Sequence, residues 1–362
     1  MLRHVGQHPG GVVVYTNELL RAMFGLGSGH EFVLFFQQEP PTGLFPESAG
    51  VRHVMVRARS RLLWDQVGLP MAVRREGLDV LFNPKYSIPL AVSCRTAWVC
   101  HGLDWYVMPW ASRLPDRISH RVLVPRYVHK ADAIITVSAT VRDHALKYLD
   151  VRPDKLHVVY SGAHERFRTP VAEETRRALR ARLALPDRFV IFVGALYPPK
   201  NFTRLLQAYA TTGPARGYYL VVAGGTERFL AAHEVELSRR LGLQDWVRNI
   251  GWLAPEDLPA LYSMATGMLM PSLYEACPLP IIEAMAAGCP ILTANCHGTQ
   301  ELACDAAVLV DPESVDSIAE GIGNLLDDAT LRNSLRILGR TRAASMTWEA
   351  TARNTLDVLE AL

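Results

Sequence analysis

YEACPLPIIEAMAAGCP, residues 274–290, places Glu275 and Glu283 eight positions apart around a short apolar run. Pro280 falls in the first turn of that run and Gly288 just past its end, which predicts a helix over 280–287. The apolar runs GMLMPS before it and PILTAN after it read as strands, so the helix stands between two of them. One carboxylate precedes the helix and the other sits inside it, and both can face one ligand. Free N–H groups and partial positive charge at a helix N-terminus suit phosphate, and paired carboxylates suit sugar hydroxyls. A nucleotide-sugar carries both. Two solvated glutamates on a surface helix are the alternative that the spacing leaves open.

Working outward, the same alternation recurs. EFVLFF, DVLFNP, TAWVCHG, AIITVS and LHVVYSG read as strands ending in polar or glycine-bearing loops, with helical spacing over residues 62–76, 115–130 and 140–149. FVIFVGAL, YYLVVAGG, VRNIGWL and AAVLVDP continue it, and helices alone follow over residues 314–327, 330–344 and 348–362. This is the βα pattern of parallel sheets with helices on both faces. GAHERFRTPVAEETRRALRARLALPDR begins as a loop and becomes a charged helix, which places a boundary near residues 163–169. The expected domains are 1–165, 166–345 and a closing helix over 346–362. Two doubly wound, Rossmann-like domains facing across a cleft would bind ligands at the carboxyl ends of their strands.

The chain has 362 residues, 49% hydrophobic and 20% charged, a length comfortable for two domains. Residues 1–165 hold 19 Lys and Arg against 14 Asp and Glu, and the remainder 19 against 22. That balance excludes a nucleic-acid protein but suits an N-terminal half touching an anionic surface or acceptor. The six cysteines form no C-x-x-C pair and lack His at zinc spacing, so reduced cytosolic thiols and no metal are expected. No apolar run spans a membrane and no signal peptide is recognisable, so a cytoplasmic protein, at most peripheral on the membrane, is expected.

Gly10 and Gly11 precede an amphipathic helix, where small residues let backbone approach an anion. Gly194 ends a strand, and Lys200 stands at the next helix start. The dipole disfavours a cation there, which points to an anionic neighbour. His101 follows the strand TAWVCHG, at a carboxyl end where a reacting group would sit, although a lone His is more often structural.

With HGLDW, VSAT, GALYPPKN, the AGG loop, GWL, YEACPLPIIEAMAAGCP, DAAVLVDP and MTWEATA in order over nearly the whole chain, the sequence resembles the retaining glycosyltransferases of family four. The resemblance implies a GT-B fold, a nucleotide-diphosphate sugar held mainly by the C-terminal domain as donor substrate, no cofactor, and no required metal. A hexose of mannose or glucose type would pass to a glycan or lipid-linked acceptor in polysaccharide biosynthesis. Lys200 would be the diphosphate counter-charge, Glu275 would hold the donor-sugar hydroxyls and Glu283 the ribose hydroxyls. His101 would lie beside the reacting sugar. Backbone near Gly251–Leu253 would meet the base, and Gly10–Gly11 would lie under the diphosphate or acceptor.

Three departures from the family stand out. Ala276, Cys277 and Pro278 replace the usual Gly-Phe-Gly after Glu275; Pro278 has no N–H, so amides such as Leu279, at the helix tip with Pro280, must serve the donor. Pro198 and Pro199 occupy places where a basic residue is common, leaving Lys200 as the loop's cation. Only MLRHVGQHP precedes Gly10, so the first domain is expected to lack its first strand. A non-catalytic nucleotide-sugar or glycan binder and a sugar-nucleotide epimerase remain rival functions. The segment 105–130, with Trp105, Trp110 and several arginines, reads either as a lipid-facing surface or as an amphipathic helix with a solvated basic face.

Overall fold

A computed structural model describes residues 1–2, 10–48, 50–224 and 231–362. Residues 3–9, ahead of the glycine pair, and Gly225 of the AGG loop lie outside the described residues. The chain divides into two compact units, Met1–Gly162 with Trp348–Leu362, and Ala163–Thr347.

The first unit runs α1 (Gly11–Gly25), β1 (Phe32–Phe36), β2 (Val51–Met55), α2 (Arg61–Leu63), α3 (Leu69–Glu76) and β3 (Val80–Asn83). It continues with β4 (Arg95–Cys100), α4 (Asp104–Val107), α5 (Leu114–Lys130), β5 (Ala133–Thr136), α6 (Ala139–Tyr148) and β6 (Leu156–Val158). Its strands pair in parallel as β1–β2 and as β3–β4–β5–β6. Between the two groups lie Met1 and Leu2, both buried: the Met1 ammonium donates to Phe82 O at 3.0 Å and the Leu2 N–H to Phe35 O at 2.9 Å. Among the described residues, Met1 and Leu2 thus bridge β1 and β3 at the place where the first strand was expected to be lacking. The expected helix over 62–76 is interrupted by a π-helical turn at Trp64–Gly68, which turns Trp64 fully inward.

In the second unit come α7 (Glu173–Leu183), β7 (Phe189–Val193), α8 (Phe202–Ala210), β8 (Tyr219–Ala223), α9 (Ala231–Arg240) and β9 (Val247–Gly251). Then follow α10 (Leu258–Met264), β10 (Met268–Met270), α11 (Leu279–Ala287), β11 (Ile291–Ala294), α12 (His297–Ala303), β12 (Val308–Val310), α13 (Val315–Asp327) and α14 (Ala329–Ala343). The last helix, α15 (Trp348–Glu360), belongs to the first unit, where Trp348 meets the Tyr15 ring edge-on and Thr351 donates to Tyr160 O.

The second sheet is six-stranded and wholly parallel, in the order β12-β11-β10-β7-β8-β9. Side chains of a strand alternate faces, so Phe189 and Ile191 enter a core with α10 and α11, while Val190 and Phe192 enter another with α8 and α13. Each such side chain contributes about 1.5–3 kcal/mol when fully buried. β7 sits between β10 and β8, so the chain winds one way through β8 and β9 and the other way through β10 to β12. That makes the carboxyl ends of β7 and β10 the switch point, where doubly wound sheets open to ligands.

Candidate active site

Two loops leave the switch point, and both carry expected residues. The loop after β7 closes in a 3₁₀ turn, Pro198–Lys200, and Asn201 follows in the left-handed region at φ 60° before α8. The loop after β10 leads through Glu275 into α11. Leu273 N–H donates to Pro199 O at 2.7 Å, and the buried Asn201 amide donates to Pro271 O at 2.9 Å and to Pro312 O at 2.6 Å. These bonds join the loops and set Lys200 against Glu275. The ammonium stands 2.5 Å from Glu275 Oε1, with the two side chains 15% and 13% exposed. Oε1 makes no aligned hydrogen bond, so the contact is a charge pair. Arg204, a turn on, donates to Asn201 Oδ1, so a guanidinium also stands near the loop.

Glycines form the floor. Gly194, Gly224 and Gly251 end or follow the adjacent strands β7, β8 and β9, all with positive φ. Gly194 N–H donates to Ala223 O and Gly224 N–H to Gly251 O, each at 2.8 Å. A Cβ on Gly224 would stand 2.0 Å from Gly194 O, and one on Gly194 would touch the Lys200 tail at 3.7 Å. Close backbone approach requires glycine at Gly224, and positive φ favours it at Gly194 and Gly251.

α11 spans 279–287, with Pro278 as N-cap, Pro280 in the first turn and Gly288 left-handed at its end. Leu279 and Pro280 are partly exposed at its tip. The Ala276–Pro278 loop is held from below: Gly298 N–H donates to Glu275 O at 3.0 Å, and a Cβ on Gly298 would lie 2.2 Å from Ala276 O. Glu283 lies four residues into α11 and accepts from the Tyr262 hydroxyl at 3.3 Å. Burial, then the Glu283 charge, hold the Tyr262 hydroxyl well above its ordinary pKa, so it stays a donor. Leu253 is buried just beyond Gly251.

In the first unit His101 follows β4 and faces Tyr15 and Tyr86 edge-on at 4.7 and 5.9 Å. Its Nε2 is 2.7 Å from Pro84 O. A carbonyl only accepts, so Nε2 carries the proton and Nδ1 presents a lone pair. Burial drives the ring down to about 4, and it is neutral at neutral pH. Trp105 stacks on His120 at 4.3 Å, extending the aromatic wall. Gly10 and Gly11 open α1 on the surface, and among the described residues a Cβ on either would meet nothing within 4 Å.

The structure thus joins Lys200, Glu275 and Gly194 directly, ties Gly251 to them through Gly224, and sets Leu279, Pro280 and Glu283 on α11. Asn201, Gly224, Tyr262 and Gly298 are contributors that sequence reasoning missed. Asn directly after a Pro-Pro-Lys turn was the one legible signal among them.

A wholly parallel sheet wound both ways, with an ion pair and a helix tip at its switch point, defines a doubly wound α/β protein. The description Glycosyltransferase Family 4 matches residues 9–166, and Glycosyl transferases group 1 matches residues 175–342. The chain belongs to the family-four, group 1 glycosyltransferases. It is 29% identical to O-antigen chain mannosyltransferase B of Escherichia coli, over 80% of this chain and 76% of that protein. It is 30% identical to an MMP alpha-(1->4)-mannosyltransferase of Mycolicibacterium hassiacum, over 71% of this chain and 60% of that protein. The structure of Anabaena HepE in complex with UDP-glucose matches with a TM-score of 0.80 at 18% identity, covering 99% of this chain and 98% of that one. The fold is GT-B.

Proposed function

We propose that the chain is a retaining, metal-independent hexosyltransferase that takes a mannose- or glucose-type sugar from a nucleotide-diphosphate donor to a glycan or lipid-linked acceptor. The Lys200–Glu275 pair at the switch point carries this reading. Lys200 neutralises the diphosphate, assisted by the Leu279 N–H at the tip of α11, where Pro280 fixes the first turn. Glu275 holds the sugar hydroxyls and Glu283 the ribose. As the bond from the anomeric carbon to the diphosphate oxygen breaks, negative charge gathers where Lys200 stands. The acceptor oxygen forms its bond on the same face, and its proton passes to the departing phosphate. Neutral His101 offers Nδ1 as a hydrogen-bond acceptor beside the sugar. The relatives named mannosyltransferases support the hexose class, and the UDP-glucose held by HepE supports the donor class.

Screening nucleotide sugars for nucleotide release tests this. Turnover with one donor and retained anomeric configuration is expected. Binding without turnover would favour the non-catalytic alternative, and interconversion of the donor sugar the epimerase. A covalent sugar adduct on Glu275 would overturn the same-face mechanism.

One observation favours a lipid-linked acceptor. Leu114, Ile118 and Val122 recur every fourth residue along α5, 48–56% exposed, and Trp110 before them is 62% exposed. Leu62, Leu63 and Met71 of the α2–α3 stretch are also exposed. Exposed Arg57, Arg59, Arg113 and Arg121 accompany them. Apolar side chains amid arginines suit the cytoplasmic face of an anionic membrane. Among the described residues no helix is long and apolar enough to cross one. Co-sedimentation with anionic vesicles at low salt is expected, and its absence would remove this surface.

A further inference from the structure

The second unit holds a cavity of about 410 Å³ at the far end of α11 from its ligand-facing tip. Its lining includes Gly288, which caps that helix, whereas Lys200 and Glu275 belong to the loops at the other end. Nine helical residues separate the two ends, about 13 Å.

Four arginines line this cavity, Arg168, Arg176, Arg336 and Arg340, and none of the described lining residues is a carboxylate. Arg176 is bound by Glu173 outside the lining at 2.6 Å. Arg168 donates to the carbonyls of Ala163, Ala343 and Met346, and its nearest carboxylate, Glu165, is 3.9 Å away and exposed. Arg336 donates to Asn333 Oδ1 at 2.9 Å, and Arg340 reaches Ala287 O only at 3.4 Å. Among the described residues, Arg336 and Arg340, one turn apart on α14, therefore hold neutral acceptors alone. Arg340 lies over Gly288, where a Cβ would stand 2.4 Å from its Nε, so the glycine makes room for the guanidinium. Behind the cations the wall is apolar, with Phe167, Tyr262 and Ala286, and Thr169 and Ser263 add hydroxyls.

Clustered guanidiniums repel one another, and a phosphate relieves this through charge-assisted, bidentate bonds. The volume lies within the range of small-ligand sites. We infer that this cavity is a second anion site, taking a small phosphate monoester with its phosphate on Arg336 and Arg340 and its body against Tyr262.

Thermal unfolding of the full chain tests this with inorganic phosphate and glycerol 3-phosphate at about 10 mM, against sodium chloride of equal ionic strength. For a millimolar ligand the expected rise in Tm is about 2–4 °C. The rise should survive in Lys200→Met and vanish in the double variant Arg336→Gln, Arg340→Gln. A rise that persists in the double variant, or one that is lost in Lys200→Met, overturns the site, as does no rise in the parent. The double variant's own Tm and its response to UDP or GDP show whether it folds. If neither nucleotide shifts the parent, the donor reading fails while this one is unaffected.

Discussion

The carboxyl edges of the two sheets differ in charge and in how their glycines are used. The second unit's edge is ionic: Lys200 and Glu275 meet beside Gly224 and Gly298, where neighbouring backbone leaves no room for a methyl group. At the first unit's edge stands a neutral imidazole among aromatic rings, and glycines at the start of α1 have open space around them. An ionic edge suits a leaving diphosphate, and a neutral one suits an uncharged hydroxyl nucleophile.

The strongest way to break this comparison is Lys200→Met. Loss of a charge aimed at the leaving group should lower kcat about 10²- to 10³-fold, read as nucleotide release. A change below tenfold would remove the lysine from the chemistry. Next comes the tightness of the ionic edge. Gly298→Ala drives a Cβ into Ala276 O and should cost about 2–3 kcal/mol in chemical denaturation, with donor binding weakened as the Glu275 loop shifts. The neutral edge is probed through pH. His101 titrates near 4 when folded and near 6.5 when unfolded. Between those values the unfolded chain binds the extra proton, so stability rises with pH. Comparing pH 7 with pH 5, His101→Gln should flatten the slope by about 2 kcal/mol relative to the parent. An unchanged slope would mean that the ring is solvated. The smallest effect is expected at Gly11→Ala, within about 1 kcal/mol and in the stabilising direction, because nothing crowds the site and alanine favours the helix. A marked loss of donor or acceptor affinity there would show that the space is kept for a ligand.

The second sheet was legible because strands buried on both faces are continuous apolar runs, as FVIFV and MLM are. β2 was not, since VRHVM buries only Val51 and Val54 and its Arg and His read as polar chain. The apolar spacing of α5 predicts a helix, yet Leu114, Ile118 and Val122 face outward; spacing tells which residues share a face, not what the face meets. Motif order located Lys200 and the two glutamates. It could not show that Asn201 pins chain 70 and 111 residues away, or that Tyr262 meets Glu283, because such partners are set by the winding of the sheet.

Consider what the lysine and glutamate do for each other with no donor bound: their charges cancel. Under the proposed function, an arriving diphosphate would draw the ammonium away and leave the acid to be met by the sugar's hydroxyls. A sugar nucleotide would then satisfy both partners at once and the spent nucleotide only one, so that reclosure of the pair would favour product release.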